Sequence, residues 1–432
     1  MKLKNYNYIA LLMNEILLQN VYACGKRCDI LVRGNLIAKI ADKIEAPAAE
    51  VIDCSRMAAI PGFINMHTHA AMTMTRSAKE DMTLMPWLQY IWKIEAQIDE
   101  EILYWGNKLA CLEMIKTGTT CYNDMYWGVG IAARACDEMG IRGVHSYCML
   151  DNGDMVKAEK ERKALVRAFE ESKSFSSLNM FEVAVHAPYT VCADNMRWAA
   201  MFAEENDLPI HIHLSETEQE VKDAQKNWGC SPVEYCESLG LLSDRVIAAH
   251  SLWLSPHDIE LMGAYGVTAV HNVNSNLKIA SGYKFPMEEL MAAGANVTLG
   301  TDGCGSSNNL DMLEALKTAA ILQKAWRKNP EAAPLSTLLK IGSENAAKAL
   351  RLNAGKIEEG RLADIVLIDM NNCWFTPNYN FEANLVYSAN SSCVDTVICD
   401  GRIVMRGRKV EGEQEILDNA AACGERLMSR IK

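Results

Sequence analysis

Short apolar segments alternate with helical patterns through most of this chain, and that alternation limits the folds it can adopt. Between residues 61 and 345, helical patterns such as residues 99–117 and 195–205 lie between β-rich runs. Such alternation implies parallel strands joined by crossover helices. The predicted strands are one that contains His67 and those at 118–122, 142–148, 181–186, 209–213, 246–250, 267–271 and 296–300. Eight strands over this length predict a (β/α)8 TIM-like barrel, with a doubly wound sheet as the alternative.

The segments on either side of this region contain short strands and tight turns instead. Gly34-Asn35 and Asp400-Gly401 each separate two apolar runs, as in a two-residue β-hairpin. We therefore predict that the two flanking segments pack together into one small β-sandwich beside the barrel. The predicted parts are residues 1–60 and 346–410 for the sandwich, 61–345 for the barrel and 411–432 for a helical tail.

Composition and charge narrow the classes of partner. With 432 residues, 49% of them hydrophobic, the chain has ample material for a large core. The net charge of −12 argues against nucleic acid, because phosphate binding needs clustered Lys and Arg. Fifteen cysteines without a pairing pattern indicate reduced thiols and a cytoplasmic protein. The apolar run at residues 8–13 is too short for a secretory core, and no segment approaches the ~20 apolar residues of a membrane span.

Histidines gather at the carboxyl ends of the predicted strands, which is where barrels of this type carry their active sites. Seven of the nine histidines fall there: His67, His69, His186, His211, His213, His250 and His271. The other two, His145 and His257, are interpreted as structural. Side chains at i and i+2 of a strand share one face, so His67 and His69 can converge on one point.

This placement predicts a metal site. Neutral imidazoles are the commonest metal ligands in proteins. Two histidines of the first strand, a third histidine and Asp302 after the eighth strand leave room for water, as catalytic zinc sites do. Glu216, three residues past His213, is placed to carry protons beside the metal. No lysine closes the fourth strand, so one metal is a simpler interpretation than a bridged pair.

Eight stretches of the chain carry a resemblance to a known family. They are PGFINMHTHAAMTMTR, LMPWLQYIWKIEA, TGTTCYNDMY, VHAPYTV, HIHLSET, HNVNSNLKIASG, LGTDGCGSSNNLDM and GKIEEGRLADIVLID. In order and spacing they resemble the amidohydrolase superfamily, in its one-metal branch. Within that branch the chain is most similar to the 5-methylthioadenosine/S-adenosylhomocysteine deaminases. HIHLSET, HNVNSNLKIASG and the stretch at 87–95 are the most specific of the eight.

The resemblance implies a role for each site residue. As metal ligands it implies His67, His69, His213 and Asp302. As catalytic groups it implies Glu216, His250 and Asp302. As substrate contacts it implies Glu95, His186, Glu216 and Trp92, with Glu95 accepting hydrogen bonds from the ribose hydroxyls. One divalent metal is implied; zinc is the prediction, and Fe2+ and Mn2+ are the alternatives.

The function expected from this resemblance is hydrolytic deamination of an adenine nucleoside, such as adenosine or 5′-methylthioadenosine, to the inosine and ammonia. The alternatives are another one-metal amidohydrolase, such as a guanine deaminase or an s-triazine hydrolase, and more remotely a non-catalytic barrel scaffold. The expected partner is a small nucleoside, without nucleic acid or membrane. The sequence leaves open whether the chain forms a homo-oligomer.

One departure from the family pattern concerns the 5′ end of the substrate. Members that use S-adenosylhomocysteine carry arginines after the third strand, where Tyr147 and Glu159 stand in this sequence. Arg162 lies nearby, and the sequence leaves open whether it substitutes for them. Bidentate pairing of arginine with a carboxylate is strong and specific. We therefore expect a substrate with an uncharged 5′ group.

Overall fold

The computed structural model describes residues 15–431, so the apolar run at residues 8–13 lies outside the described residues. The strands are β1 (Glu15–Ala23), β2 (Lys26–Arg33), β3 (Leu36–Ala41), β4 (Glu50–Asp53), β5 (Met57–Pro61), β6 (Phe63–Thr68), β7 (Thr119–Tyr126), β8 (Arg142–Met149), β9 (Asn179–Val185), β10 (Ile210–Leu214), β11 (Val246–His250), β12 (Thr268–His271), β13 (Asn296–Leu299), β14 (Ile365–Asp369), β15 (Val394–Cys399) and β16 (Arg402–Met405). Across residues 15–431, no helix combines the length and the apolar character that crossing a bilayer requires.

Helices follow most of the barrel strands and continue to the end of the chain. They span Leu84–Glu95, Glu100–Lys116, Val129–Met139, Met155–Ser172, Ala193–Glu205, Glu218–Trp228, Pro232–Ser238, Pro256–Ala264, Val273–Lys278, Met287–Ala293, Met312–Arg327, Leu335–Ile341, Glu344–Ala349, Phe381–Ala383 and Glu413–Ser429. Short 3-10 turns cover Ala70–Thr75, Cys373–Phe375 and Ser391–Cys393, and a π-helical turn covers Asn384–Ser388.

Strands β6 to β13 form one parallel sheet whose spatial order follows the chain order. The first and last strands meet through the residues after β13. The Asp302 amide donates to the His67 carbonyl at 2.9 Å, and the Thr301 amide donates to Asn65 Oδ1 at 3.0 Å. The predicted (β/α)8 barrel is confirmed, because a doubly wound sheet would reverse its strand order at a switch point.

The two flanking segments share a second sheet, in the order β16-β15-β14-β5-β1-β2-β3, with β4 beside β1. Strand β5 runs antiparallel to β14, with Ile60 opposite Val366, and this pairing joins the two segments. Both predicted hairpins are present; Gly34, Asp400 and Gly401 have φ angles of 60°, 49° and 73°, as such turns require. The four-part division of the chain stays a prediction.

The barrel interior is apolar at one end and polar at the other. An apolar layer fills its amino-terminal end; this layer includes Ile64, Cys121, Val144, Ile247 and Val270, packed with the helix Glu344–Ala349. Nearer the carboxyl ends, strand residues alternate in direction. Val183 and Ile212 join the core under the outer helices, whereas Glu182 and His211 belong to the alternate, inward positions and are fully buried. This alternation delivers polar side chains to one end of the barrel.

Candidate metal centre and active site

Three histidines and an aspartate converge at the carboxyl end of the barrel. The ligand atoms of His67, His69 and His213 lie within 4.8 Å of one another, and so do those of His67, His250 and Asp302. Asp302 Oδ1 lies 3.4 Å from Nε2 of His67 and 3.3 Å from Nε2 of His69. Nε2 of His213 lies 3.3 Å from Nε2 of His69. The predicted ligand set therefore surrounds one point, at which it could hold a divalent metal.

The hydrogen bonds of these rings suit a metal. Nε2 of His67 is buried without a hydrogen-bond partner, which is rare for a buried polar atom. His69 Nδ1 donates to the Met125 carbonyl at 2.6 Å, and His213 Nδ1 donates to the His186 carbonyl at 2.7 Å. A neutral imidazole carries one proton, so these bonds leave Nε2 of both rings as lone-pair donors. The donor set fits a divalent cation.

The backbone at the strand ends is held in an uncommon conformation. Ser215, His250 and Asp302 have φ angles of 51°, 71° and 64°. Left-handed backbone at such residues costs roughly 1–3 kcal/mol each and persists where the surroundings over-determine it. Glu220 helps to fix the first of these turns, because its carboxylate accepts hydrogen bonds from the amides of Ser215 and Glu216 at 2.9 and 2.7 Å. This turn aims Glu216 at the cluster.

Glu216 and His250 form a second pair beside the cluster. Glu216 Oε2 lies 3.8 Å from His250 Nε2. Burial raises the pKa of Glu216 well above its ordinary value, and the charges of Asp302 and Glu220 add to this. Burial lowers the pKa of His250 to about 3, so this ring is neutral. Asn276 donates to His250 Nδ1 at 2.8 Å, which places the ring proton on Nε2, on the side of Glu216.

A cavity of about 520 Å³ opens above the cluster. Its apolar walls include Trp87, Leu88, Ile91, Trp92, Tyr126, Trp127, Leu150 and Tyr189. All the residues predicted to contact substrate line it: Trp92, Glu95, His186 and Glu216. Burial raises the pKa of Glu95, which accepts a hydrogen bond from the Tyr126 hydroxyl at 2.7 Å. His186 Nδ1 lies 2.8 Å from the Thr190 hydroxyl, which itself donates to the Ala187 carbonyl. His186 therefore keeps Nε2 as an acceptor.

One prediction from the sequence is wrong for the part of the cavity lined by Tyr147, Lys157 and Glu161, which we call its far end. Tyr147 lines the cavity there, but the acidic residue beside it is Glu161, together with Lys157. Glu159, assigned to this position from the sequence, is exposed and pairs with Lys163 at 2.6 Å. That assignment is wrong, because two residues along a helix turn a side chain through about 200°. Glu161 accepts a hydrogen bond from the Leu150 amide at 3.2 Å, and burial and Glu161 raise the pKa of Tyr147 to about 12.

Arg162 is not one of the residues that line this cavity. Its guanidinium donates to the side-chain oxygen of Asn195 and lies 5.7 Å from the centre of the Trp198 ring. Asn195 is itself held by the buried carboxylate of Asp151, at 2.8 Å. Arg162 therefore has a structural network of its own, directed away from the cavity.

Besides His211, which adjoins the cluster, three histidines lie outside the metal cluster and its pocket. His271 ends strand β12, as predicted, but its side chain does not belong to the cluster or the pocket. Its ring stacks on Phe285 at 4.2 Å, in the layer between the strands and the outer helices. His145 bonds to Asn179 at 2.8 Å, and His257 is an exposed residue at a helix start, as their structural assignment implied.

Two buried residues adjoin the cluster without having been assigned a role from the sequence. His211 Nε2 lies 2.9 Å from His67 Nδ1, and Glu182 Oε1 lies 2.6 Å from His211 Nδ1. The sequence could have indicated that both residues face the barrel interior, because His211 is two residues before His213 and Glu182 is four residues before His186. Period-two alternation places all four inside the barrel.

Comparison with known proteins gives consistent similarities. The model of the amidohydrolase family matches residues 58–404. The chain is 43% identical over 384 residues to the 5′-deoxyadenosine deaminase of Methanoregula boonei, covering 88% of this chain and 87% of that protein. It is 44% identical over 381 residues to the 5-methylthioadenosine/S-adenosylhomocysteine deaminase of Thermococcus sibiricus, covering 88% and 90%. A zinc-bound adenosine deaminase structure from Xanthomonas campestris superposes with a TM-score of 0.91 at 31% identity, covering 96% of this chain and 99% of that one.

Proposed function

The chain belongs to the amidohydrolase family, and from this premise we propose that it is a metal-dependent hydrolytic deaminase of adenine nucleosides. It converts adenosine or a 5′-modified adenosine, such as 5′-deoxyadenosine or 5′-methylthioadenosine, into the matching inosine and ammonia. The observation that carries this proposal is a single cavity that brings together a metal-type cluster, the buried acid Glu216 and the carboxylate of Glu95. The similarity to deaminases of adenosine-type substrates supports it.

We propose one zinc ion as the resident metal, held by His67, His69, His213 and Asp302. Three imidazoles and a carboxylate with a position left open suit catalytic zinc. The zinc in the Xanthomonas campestris deaminase supports this choice. When bound, such a metal supplies Lewis acidity, which lowers the pKa of a water toward ~7 and so provides a nucleophile at neutral pH.

The protein side chains move the protons. Glu216 donates its proton to N1 of the adenine ring, which localises the C6=N1 double bond for attack at C6. The N–H of His250 donates to the oxygen that bonds to C6. Asp302 accepts one proton from the attacking water and passes it to the amino group, so that the C6–N bond breaks and ammonia leaves. The second water proton leaves as the C6 carbonyl forms and restores Glu216.

Glu95 is proposed to recognise the ribose, and this gives a first test. We expect Glu95→Gln to lower kcat/KM for adenosine by roughly 10–100-fold, because hydrogen bonds to a charged acceptor contribute ~1.5–3 kcal/mol. The loss should fall mainly on KM. The loss should vanish with 2′,3′-dideoxyadenosine, which lacks the 2′- and 3′-hydroxyls that would donate hydrogen bonds to Glu95. Tyr126→Phe is the matched control, since it removes the neighbouring donor and keeps the carboxylate. An equal loss with adenosine and the dideoxy analogue would place the ribose elsewhere.

The far end of the cavity supports an uncharged 5′ substituent. Glu161 brings a negative charge to this end, where Tyr147 contributes a neutral phenol. Arg162 donates to Asn195 instead, so none of the described residues that line the cavity is an arginine that could bind a carboxylate with two parallel hydrogen bonds. Lys157 also lines the cavity, but an ammonium lacks the planar pair of donors that a carboxylate binds best.

A substrate panel tests both the activity and this preference. We expect ammonia release from adenosine, 5′-deoxyadenosine and 5′-methylthioadenosine, each with kcat/KM at least about tenfold above that of S-adenosylhomocysteine, since one uncompensated charge contact exceeds ~1.4 kcal/mol. Guanine and a chloro-s-triazine are included for the alternative activities. Turnover of either of them, with none of the adenine nucleosides, would refute the proposed function.

Two variants locate the source of the preference. Glu161→Gln should raise kcat/KM for S-adenosylhomocysteine and leave adenosine unchanged. Arg162→Ala should change neither substrate, because its guanidinium lies outside the cavity. If S-adenosylhomocysteine is the best substrate and Arg162→Ala abolishes that preference, Arg162 moves into the cavity in the complex and this part of the proposal fails.

A further inference from the structure

A buried chain of hydrogen bonds leads from the metal cluster into the barrel. His67 Nδ1 and His211 Nε2 are 2.9 Å apart, and His211 Nδ1 and Glu182 Oε1 are 2.6 Å apart. The side-chain amide of Asn123 donates to the other oxygen of Glu182 at 3.1 Å. His67, His211 and Glu182 are fully buried. The chain therefore connects the metal-facing ring to a carboxylate that water does not reach.

The partners at the end of this chain decide where its protons lie. When Glu182 is ionised, its carboxylate only accepts hydrogen bonds, so His211 then donates to it from Nδ1. The neutral His211 ring then has a lone pair on Nε2 and accepts a hydrogen bond from the Nδ1–H group of His67. His67, also neutral, is left with a lone pair on Nε2. That atom is the buried nitrogen without a protein partner, directed at Asp302 and His69.

We propose that Glu182 and His211 are positioning residues that hold His67 in its metal-binding tautomer, and that Glu182 supplies buried negative charge which strengthens binding of a divalent cation. This inference rests on the proposed metal site. A ligating histidine commonly donates its other ring nitrogen to a carboxylate, which orients the ring and raises its basicity. Here the carboxylate of Glu182 acts on His67 through the intervening imidazole of His211.

The charges around Glu182 support the second half of the proposal. Among the residues that the structure describes, Glu182 has an ion-pair contact only with His211 and none with lysine or arginine. A buried carboxylate without a compensating charge is destabilising. Burial also raises the pKa of Glu182 well above its ordinary value. A divalent cation at His67 would compensate the charge and favour the ionised form of Glu182.

The test measures metal affinity, separately from turnover. Zn2+ dissociation constants are determined for the metal-free full-length protein by competition with a chromophoric chelator. Glu182→Gln keeps the shape of the side chain and removes its charge, and we expect it to weaken Zn2+ binding by about 10–100-fold. Glu182→Asp, which keeps the charge, should recover part of the loss. Asp151→Asn is the matched control, because it neutralises another fully buried carboxylate that takes no part in the hydrogen bonds between His67, His211 and Glu182.

The outcomes separate this proposal from the proposed function. The positioning role is refuted if Glu182→Gln folds and binds Zn2+ as tightly as the wild type, or if Asp151→Asn weakens Zn2+ binding equally. Neither result would count against the proposed deaminase function. If the wild type binds Zn2+ but releases no ammonia from adenine nucleosides, the proposed function fails alone. Should Glu182→Gln not fold, Asn123→Ala replaces it. Removing this amide from Glu182 should weaken Zn2+ binding in the same direction, and unchanged affinity refutes the proposal.

Discussion

Glu216→Gln is expected to lower kcat for adenosine deamination by roughly 10²–10⁴-fold, the usual contribution of a general acid–base group, while the protein keeps its fold and its metal. Glutamine has the shape of glutamate but no proton to give to N1. Burial raises the pKa of Glu216, so the wild-type carboxyl stays protonated to a higher pH than an ordinary glutamate. Single-turnover and steady-state rates, with metal content measured on the same samples, test this expectation.

The pH dependence of kcat/KM tests whether Glu216 acts in its protonated form. An acid works while it is protonated, so wild-type kcat/KM should fall as pH rises through the raised pKa of Glu216, and the residual activity of Glu216→Gln should lack this limb. Glu218→Gln is the control, because Glu218 is an exposed neighbour paired with Lys222. A loss under tenfold in Glu216→Gln would mean that another group delivers the proton.

The barrel was predictable because its signal is periodic. The alternation of β-rich and helical segments predicted eight strands, and the seven that were given bounds lie within a few residues of the observed ones. For β11 the predicted and the observed bounds are both Val246–His250. Strand ends in a parallel barrel share one edge, so histidines that end strands had to meet. His271 also ends its strand but does not join the cluster, because side chains alternate in direction along a strand. Its ring faces Phe285 and the outer helices instead.

Positions on helices were harder to assign from the sequence. The residue that reaches the far end of the cavity depends on the phase of the helix Met155–Ser172, and a shift of two residues moves a side chain to the opposite face. Lys157 and Glu161, four residues apart, share the cavity face, and Glu159 lies on the solvent side. The sequence predicted an acidic group at this end, but assigned it to the wrong residue. Fixing the phase required the contacts of the helix with the barrel.

His67→Ala is expected to remove most of the bound metal and to reduce turnover in parallel. The substitution deletes one of the ligands and leaves a space that water fills, so the loss of metal affinity should exceed the ~10–100-fold cost typical of residues behind the ligands. Metal content by elemental analysis, together with ammonia release at saturating adenosine, measures both effects. His257→Ala is the matched control, because His257 is an exposed histidine remote from the cluster.

The ligand assignment also predicts how the wild type responds to metal removal. A chelator should abolish turnover, and Zn2+, Fe2+ and Mn2+, each added to the metal-free protein, should show which ion restores it, since all three accept imidazole and carboxylate ligands. The same additions should leave His67→Ala largely inactive, because its cluster lacks the donor buried behind Asp302 and His69. Full metal content together with full turnover in His67→Ala would refute the ligand set. Partial recovery at high Zn2+ would instead support it, because His69, His213 and Asp302 would then bind the ion with reduced affinity.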